Sequence, residues 1–126
     1  MQNLKFSSEQ IFRNLSKFVL DYENKDAVVS LNFISKVEIN ELNKTYRNID
    51  APTDVLSFES DIDGDLGDIF ICKEIAADNA KKFGTSLENE LNLLVVHGCL
   101  HLCGYDHMND DEAKIMEARE EEILDA

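Results

Sequence analysis

All three histidines of the chain fall within 11 residues: His97, His101 and His107. His101 follows His97 by four positions; Gly104 follows three later, and His107 three after that. A helix advances about 100° per residue, so His97 and His101 stand about 40° apart on one face, where two imidazoles can converge on one ion. A glycine at 104 permits the left-handed turn that ends a helix and swings the chain back. His107 can then approach the same point from outside the helix. Three neutral imidazoles with a fourth position open form the donor set of a catalytic zinc centre, not of a closed structural one.

The same ligand spacing occurs in zinc peptidases, which read H-E-x-x-H-x-x-G-x-x-H and use the Glu as general base. Here that position is Gly98. The usual peptidase mechanism therefore lacks its proton acceptor. Glu90 projects about 20° from His97, but two turns earlier and about 10 Å along the axis. It reads as a surface or capping charge, with support of a ligand as the alternative. Cys99 and Cys103 lie about 200° and 240° round the helix from His97, away from the histidine face and toward the core. With Cys72 they make three cysteines, which cannot all pair internally. No export signal is visible in Met1 to Ser16, so reduced thiols in the cytoplasm are expected.

The elements that must carry these residues follow from periodicity. Asn3–Phe6 reads as a short strand. Ser7 and Gln10 form a capping-box pattern that opens a first helix, with Ile11, Leu15, Phe18 and Val19 on its core face. Residues 27–34 read as a strand. Ser35 and Glu38 cap a second helix with Ile39, Leu42 and Tyr46 on one side, ending at Arg47. Residues 53–58 and 66–72 read as strands joined by an Asp63-Gly64 turn. The run from Asp61 is not a calcium loop, because its sixth position is Leu66 and its twelfth Cys72. Three helices follow: residues 73–83 with Gly84 as the C-terminal cap, the apolar helix 87–102, and 110–124. Glu120, Glu121 and Glu122 read as the wet face of the last. The expected fold is a single α+β domain over residues 1–126. It has one mixed sheet of about four strands, about five helices, and a three-His zinc site at the end of the central helix.

Charge narrows the classes of partner. The formal net charge is −14 over 126 residues, which argues against a general polyanion binder. Residues 1–50 carry seven basic and seven acidic side chains, whereas residues 51–126 carry five basic and 19 acidic. A polyanion therefore meets the first part, with Lys44 and Arg47 as the candidates. An arginine can clamp phosphate oxygens through two N–H groups. The other role open to Arg47 is a surface pair with Asp50 or Asp54. Asp54 and Asp106 are candidate bases, or fix loops and orient a histidine. No segment reaches the length of a membrane span.

The run His97-Gly98-Cys99-Leu100-His101-Leu102-Cys103-Gly104-Tyr105-Asp106-His107 resembles the signature of the YbeY family of bacterial metal-dependent endoribonucleases. Leu42-Asn43 with Tyr46-Arg47, Pro52-Thr53-Asp54-Val55-Leu56-Ser57-Phe58 and Leu66-Gly67-Asp68-Ile69 are similar to its other blocks, in the same order over about residues 28–118. The resemblance implies one zinc per chain on His97, His101 and His107, with an arginine at the mouth of the cleft, at Arg47. It implies cytoplasmic cleavage of single-stranded RNA in 16S rRNA 3'-end maturation and ribosome quality control. The small ribosomal subunit or a ribosomal protein is the partner, with no DNA and no membrane. The assignments are then Arg47 and His97 to catalysis, the three histidines to the metal, and Arg47 with Lys44 to substrate. Two other readings compete: a ribosome-assembly binding protein with weak or no catalysis, and a peptidase-like metal hydrolase.

Overall fold

A computed structural model describes residues 2–106 and 108–126, with side chains from Glu9 onward. The order of elements is α1 (Gln2–Tyr22), β1 (Val28–Ile34), α2 (Lys36–Arg47), β2 (Val55–Glu59), β3 (Asp65–Cys72), α3 (Lys73–Phe83), α4 (Leu87–Leu102) and α5 (Asp110–Leu124). They form a single α+β domain. Among the described residues, no helix is long and apolar enough to cross a membrane.

The three strands make one mixed sheet in the order β1-β3-β2. The central strand β3 runs parallel to β1 and antiparallel to β2. Successive side chains of β3 point to opposite faces. Ile69 and Ile71 join the main core with α4, while Cys72 packs with Ile39 and Leu56 beneath α2. The main core is built on Val95, Val96, Cys99 and Leu100 of α4, with Val19 of α1 and Met116 and Ile123 of α5. Each such aliphatic side chain contributes about 1.5–3 kcal/mol on full burial. α4 is therefore the axis of the domain, and its C-terminal turn is held on several sides.

Two glycines set close approaches. Gly67 sits at φ +142°, and a Cβ there would lie 2.1 Å from the Phe58 carbonyl oxygen. It follows an irregularity in which β3 carries one residue more than β1. Gly98 lets α4 settle onto the sheet: a Cβ there would stand 3.1 Å from two carbons of the buried Ile69 side chain and 3.3 Å from Ser57 Oγ.

The local signals held along most of the chain. Ser35 and Glu38 form the expected capping box, Gly84 caps α3 in the left-handed conformation, and Ser86 and Asn109 cap α4 and α5. The first element differs. Residues 3–6 are helical, so the sheet has three strands, not four, and the helix runs through Ser7 without starting there. The Gln10 amide donates to Asn14 one turn on. The buried face of α1 carries Phe12, Ser16, Val19 and Leu20, whereas Ile11 and Phe18 are exposed. On α2, Ile39 and Asn43 are buried while Tyr46 is exposed. The Asn43 side chain bonds the Ala51 carbonyl and anchors the loop into β2.

Candidate metal centre

His97 and His101 lie on one face of α4, as the four-residue spacing requires. Their ring centroids are 6.2 Å apart and their planes differ by 30°. Each ring has Nδ1 engaged. His97 Nδ1 is 3.3 Å from Glu120 Oε1, and His101 Nδ1 is 2.9 Å from the Tyr105 carbonyl oxygen. Both acceptors require Nδ1–H, which makes Nε2 the ligating nitrogen of each ring. His107 lies outside the described residues. Among the described residues, no group of three His, Cys, Asp or Glu side chains is placed to hold a metal. The donor set nonetheless fits an imidazole-bound ion, because both described rings are oriented by an acceptor on the nitrogen that faces away from a metal.

Glu120 corrects the sequence reading. It is buried, not part of a wet face. Met116, Glu120 and Ile123 fall at helical spacing on the side of α5 turned to α4, so the carboxylate is carried in with its apolar neighbours. A carboxylate within an apolar stripe was the available signal. Its bond to His97 raises the imidazole pKa; burial opposes this, and the Glu120 and Asp54 charges add to it. In the metal-free chain, that raised pKa adds stability that is full below about pH 6.5, the ordinary histidine value. The contribution is lost as pH rises through the raised folded value. Thermal melts of metal-free protein should show the gap between wild type and Glu120→Gln widest below about pH 6.5 and closing above it. Metal needs the neutral ring, so occupancy should fall as pH drops. Glu120→Ala should weaken zinc binding by about 10- to 100-fold in a chelator competition.

Arg47 reaches the same end of the domain from α2. It lines a cleft of about 310 Å³ with Ser57, Phe58, Glu59, His101 and Leu102. Its Nη2 donates to the Ser57 carbonyl at 3.0 Å, and its guanidinium carbon lies 4.8 Å from the centre of the Phe58 ring. These contacts replace the expected alternative pair with Asp50 or Asp54. Asp50 accepts from Asn40 instead. Asp54 accepts from the Val55 N–H, Thr53 and Asn79, tying the start of β2 to α3. Lys44, one turn before Arg47, is exposed and is not among the residues lining the cleft. Asp106 is half-buried in the loop after α4.

Glu90 is buried, not a surface charge. Burial first, and then Asp54, push its carboxyl pKa up. The position that a peptidase fills with its catalytic Glu is Gly98, where a Cβ would stand 3.1 Å from two carbons of the buried Ile69 side chain, so that Ile69 must give by a few tenths of an ångström to admit any side chain. Cys99 is fully buried, and burial pushes its thiol up to about 12. Cys103, at the end of α4, is half-buried rather than a core residue, and Cys72 is buried; none of the three is in a disulfide. Cys99→Ala should keep the metal and lose on the order of 1 kcal/mol in a denaturant melt, as a small core truncation does. Loss of metal from that folded variant would place Cys99 among the ligands.

Comparison with known proteins identifies the family. The family model for endoribonuclease YbeY matches residues 2–126. Endoribonuclease YbeY of Staphylococcus carnosus is 48% identical, covering 79% of this chain and 72% of that protein. The same-named protein of Lachnoclostridium phytofermentans is 38% identical over 98% of this chain and 90% of its own. The solution structure of TM1509 from Thermotoga maritima superposes with a TM-score of 0.69 at 35% identity, covering 93% of this chain and 81% of that one. With the family match spanning nearly every residue and the relatives this similar, the chain belongs to the endoribonuclease YbeY family.

Proposed function

We propose that this chain is a zinc-dependent endoribonuclease that cuts single-stranded RNA, with ribosomal RNA as its working substrate in the cytoplasm. Its place would be 16S rRNA 3'-end maturation and ribosome quality control. The observation that carries the reading is the meeting of Arg47 and His101 in one cleft, the arginine from α2 and the histidine from α4. His97, His101 and His107 would hold the metal. When bound, the ion supplies a Lewis acid for a phosphoryl oxygen and a means of activating water near neutral pH.

The chain's own residues then have defined tasks. Glu120 and the Tyr105 carbonyl keep the two imidazoles in the tautomer that ligates. Arg47 spends one of a guanidinium's five donors on Ser57, and Phe58 holds its plane, so further donors remain to grip a phosphate. A net charge of −14 leaves little long-range attraction for RNA. Docking on the small ribosomal subunit, or on one of its proteins, would supply the missing affinity.

The test is incubation of the zinc-loaded chain with a labelled single strand and with the same sequence in a duplex. Cleavage of the single strand alone, abolished by a chelator and restored by zinc, is the expected result. Binding to ribosomal particles with both RNAs intact would favour the assembly-protein reading. Cleavage that survives the chelator would remove the metal from the account.

A further inference from the structure

Arg47 does not stand alone at the end of α2. It and Tyr46 are the last two residues of the helix, and both rest on the ring of Phe58. The guanidinium carbon of Arg47 lies 4.8 Å from the centre of that ring, and the Tyr46 ring meets it edge to face at 5.3 Å and 64°. Phe70 of β3 completes the set, 5.8 Å from Phe58 at 69°. Phe58 packs in turn on the small core of Ile39, Leu56 and Cys72, so the platform has a fixed back. Its front is open: Tyr46 is 61% exposed.

Two hollows meet along these rings. Phe58 lines the cleft of Arg47 and His101. Tyr46 and Phe70 line a second groove of about 490 Å³ between α2 and the sheet, walled by Ile34, Val37 and Leu42. Both charged side chains on that groove, Glu38 and Glu41, are acidic. The groove therefore repels a phosphate and admits a neutral, flat group, for whose amino hydrogens the carboxylates are acceptors. A nucleobase is such a group. Bases stack on exposed aromatic rings whatever their sequence, and a single strand can splay its bases out to do so.

We propose that Tyr46 is a substrate-binding residue: its ring stacks a base of the RNA strand while Arg47 holds a phosphate of the same strand in the neighbouring cleft. The inference rests on the reading of Arg47 as a phosphate clamp, and it names what the next part of the substrate meets. The groove takes a piece of the substrate because its aromatic wall continues into the cleft through Phe58. One turn of α2 then carries both contacts, the charged fork for the backbone and the neutral ring for a base. Stacking on an open ring needs an unpaired base, which gives the choice of single strands a physical source. The stacked base is remote from the bond that breaks, so it binds equally in the ground state and the transition state.

The test uses full-length, zinc-loaded protein and a short single-stranded RNA. Tyr46→Leu should hold zinc as wild type does, raise KM about 10-fold and leave kcat within about twofold, the pattern of lost uniform binding. Tyr46→Phe keeps the ring and should match wild type. The chain has no tryptophan, so Tyr46→Trp carries a lone reporter, which decides the matter if Tyr46→Leu does not fold. Stopped-flow mixing with the single strand should quench its fluorescence before any cut, and mixing with the same sequence in a duplex should not. Among strands lacking one base in turn, one should bind wild type as weakly as the intact strand binds Tyr46→Leu. An unchanged KM in Tyr46→Leu beside an unquenched Tyr46→Trp overturns the proposal. So does a Tyr46→Leu chain that cuts free RNA as wild type does but no longer binds ribosomal particles, which makes the face a protein-docking surface. If wild type cuts no RNA, the endoribonuclease reading fails, and the Tyr46→Trp signal still decides whether the ring takes a base.

Discussion

Arg47→Ala should abolish RNA cleavage while leaving fold and zinc in place. The loss should be at least about 100-fold in kcat, the effect of deleting one positioned donor that stabilises developing charge. Arg47→Lys should recover little, because an ammonium lacks the planar fork that grips two phosphate oxygens. The stability cost should be small. Arg47 is exposed, and its contacts are one carbonyl and the face of Phe58, an exposed cation–π contact worth about 0.5–1 kcal/mol. A cleavage assay run beside a thermal melt separates the two roles. Full activity in Arg47→Ala would reduce Arg47 to a clip on the edge of β2.

His101→Ala and His97→Ala should each empty the metal site and bring cleavage to background, about a thousandfold or more down. The two variants should differ in a second respect. His97→Ala leaves the buried Glu120 carboxylate without its ring partner, so it should also lose the stability that the pair contributes at acidic pH. His101→Ala leaves only a backbone carbonyl at a turn that other bonds already close. Elemental analysis gives the first outcome and acid-side melts give the second. Unchanged metal content in either variant would remove that histidine from the ligand set.

The parts of this account legible in the sequence are those set by local chemistry. Ser35 with Glu38, and Gly84, cap their helices because a side-chain oxygen or a left-handed glycine answers groups within a few residues. The histidine face of α4 follows from helical geometry alone. Asn3–Phe6 misled because four alternating residues fit a strand as well as a helix, and the helix continues them into Tyr22. The face of α1 was legible in part: Val19 is buried and Leu15 packs on the core as expected, but packing against α4 took Phe12, Ser16 and Leu20 in place of the apolar Ile11 and Phe18. Glu120 was hidden by its neighbours Glu121 and Glu122, which made an acidic run of what is one buried carboxylate beside exposed ones. The Glu23–Arg119 contact joins residues 96 positions apart, and no local pattern carries such a pairing. Lys44 looked equivalent to Arg47 by charge, but one turn of helix separates a residue in the cleft from one outside it.

The most direct test of the central claim is the rate of single-strand RNA cleavage measured against zinc bound per chain, starting from stripped protein. The account predicts a rate that rises in proportion to occupancy and saturates at one zinc per chain, with Arg47→Ala taking up the same zinc and cutting nothing. Cleavage by the zinc-free chain, or intact RNA beside a zinc-saturated one, would contradict it.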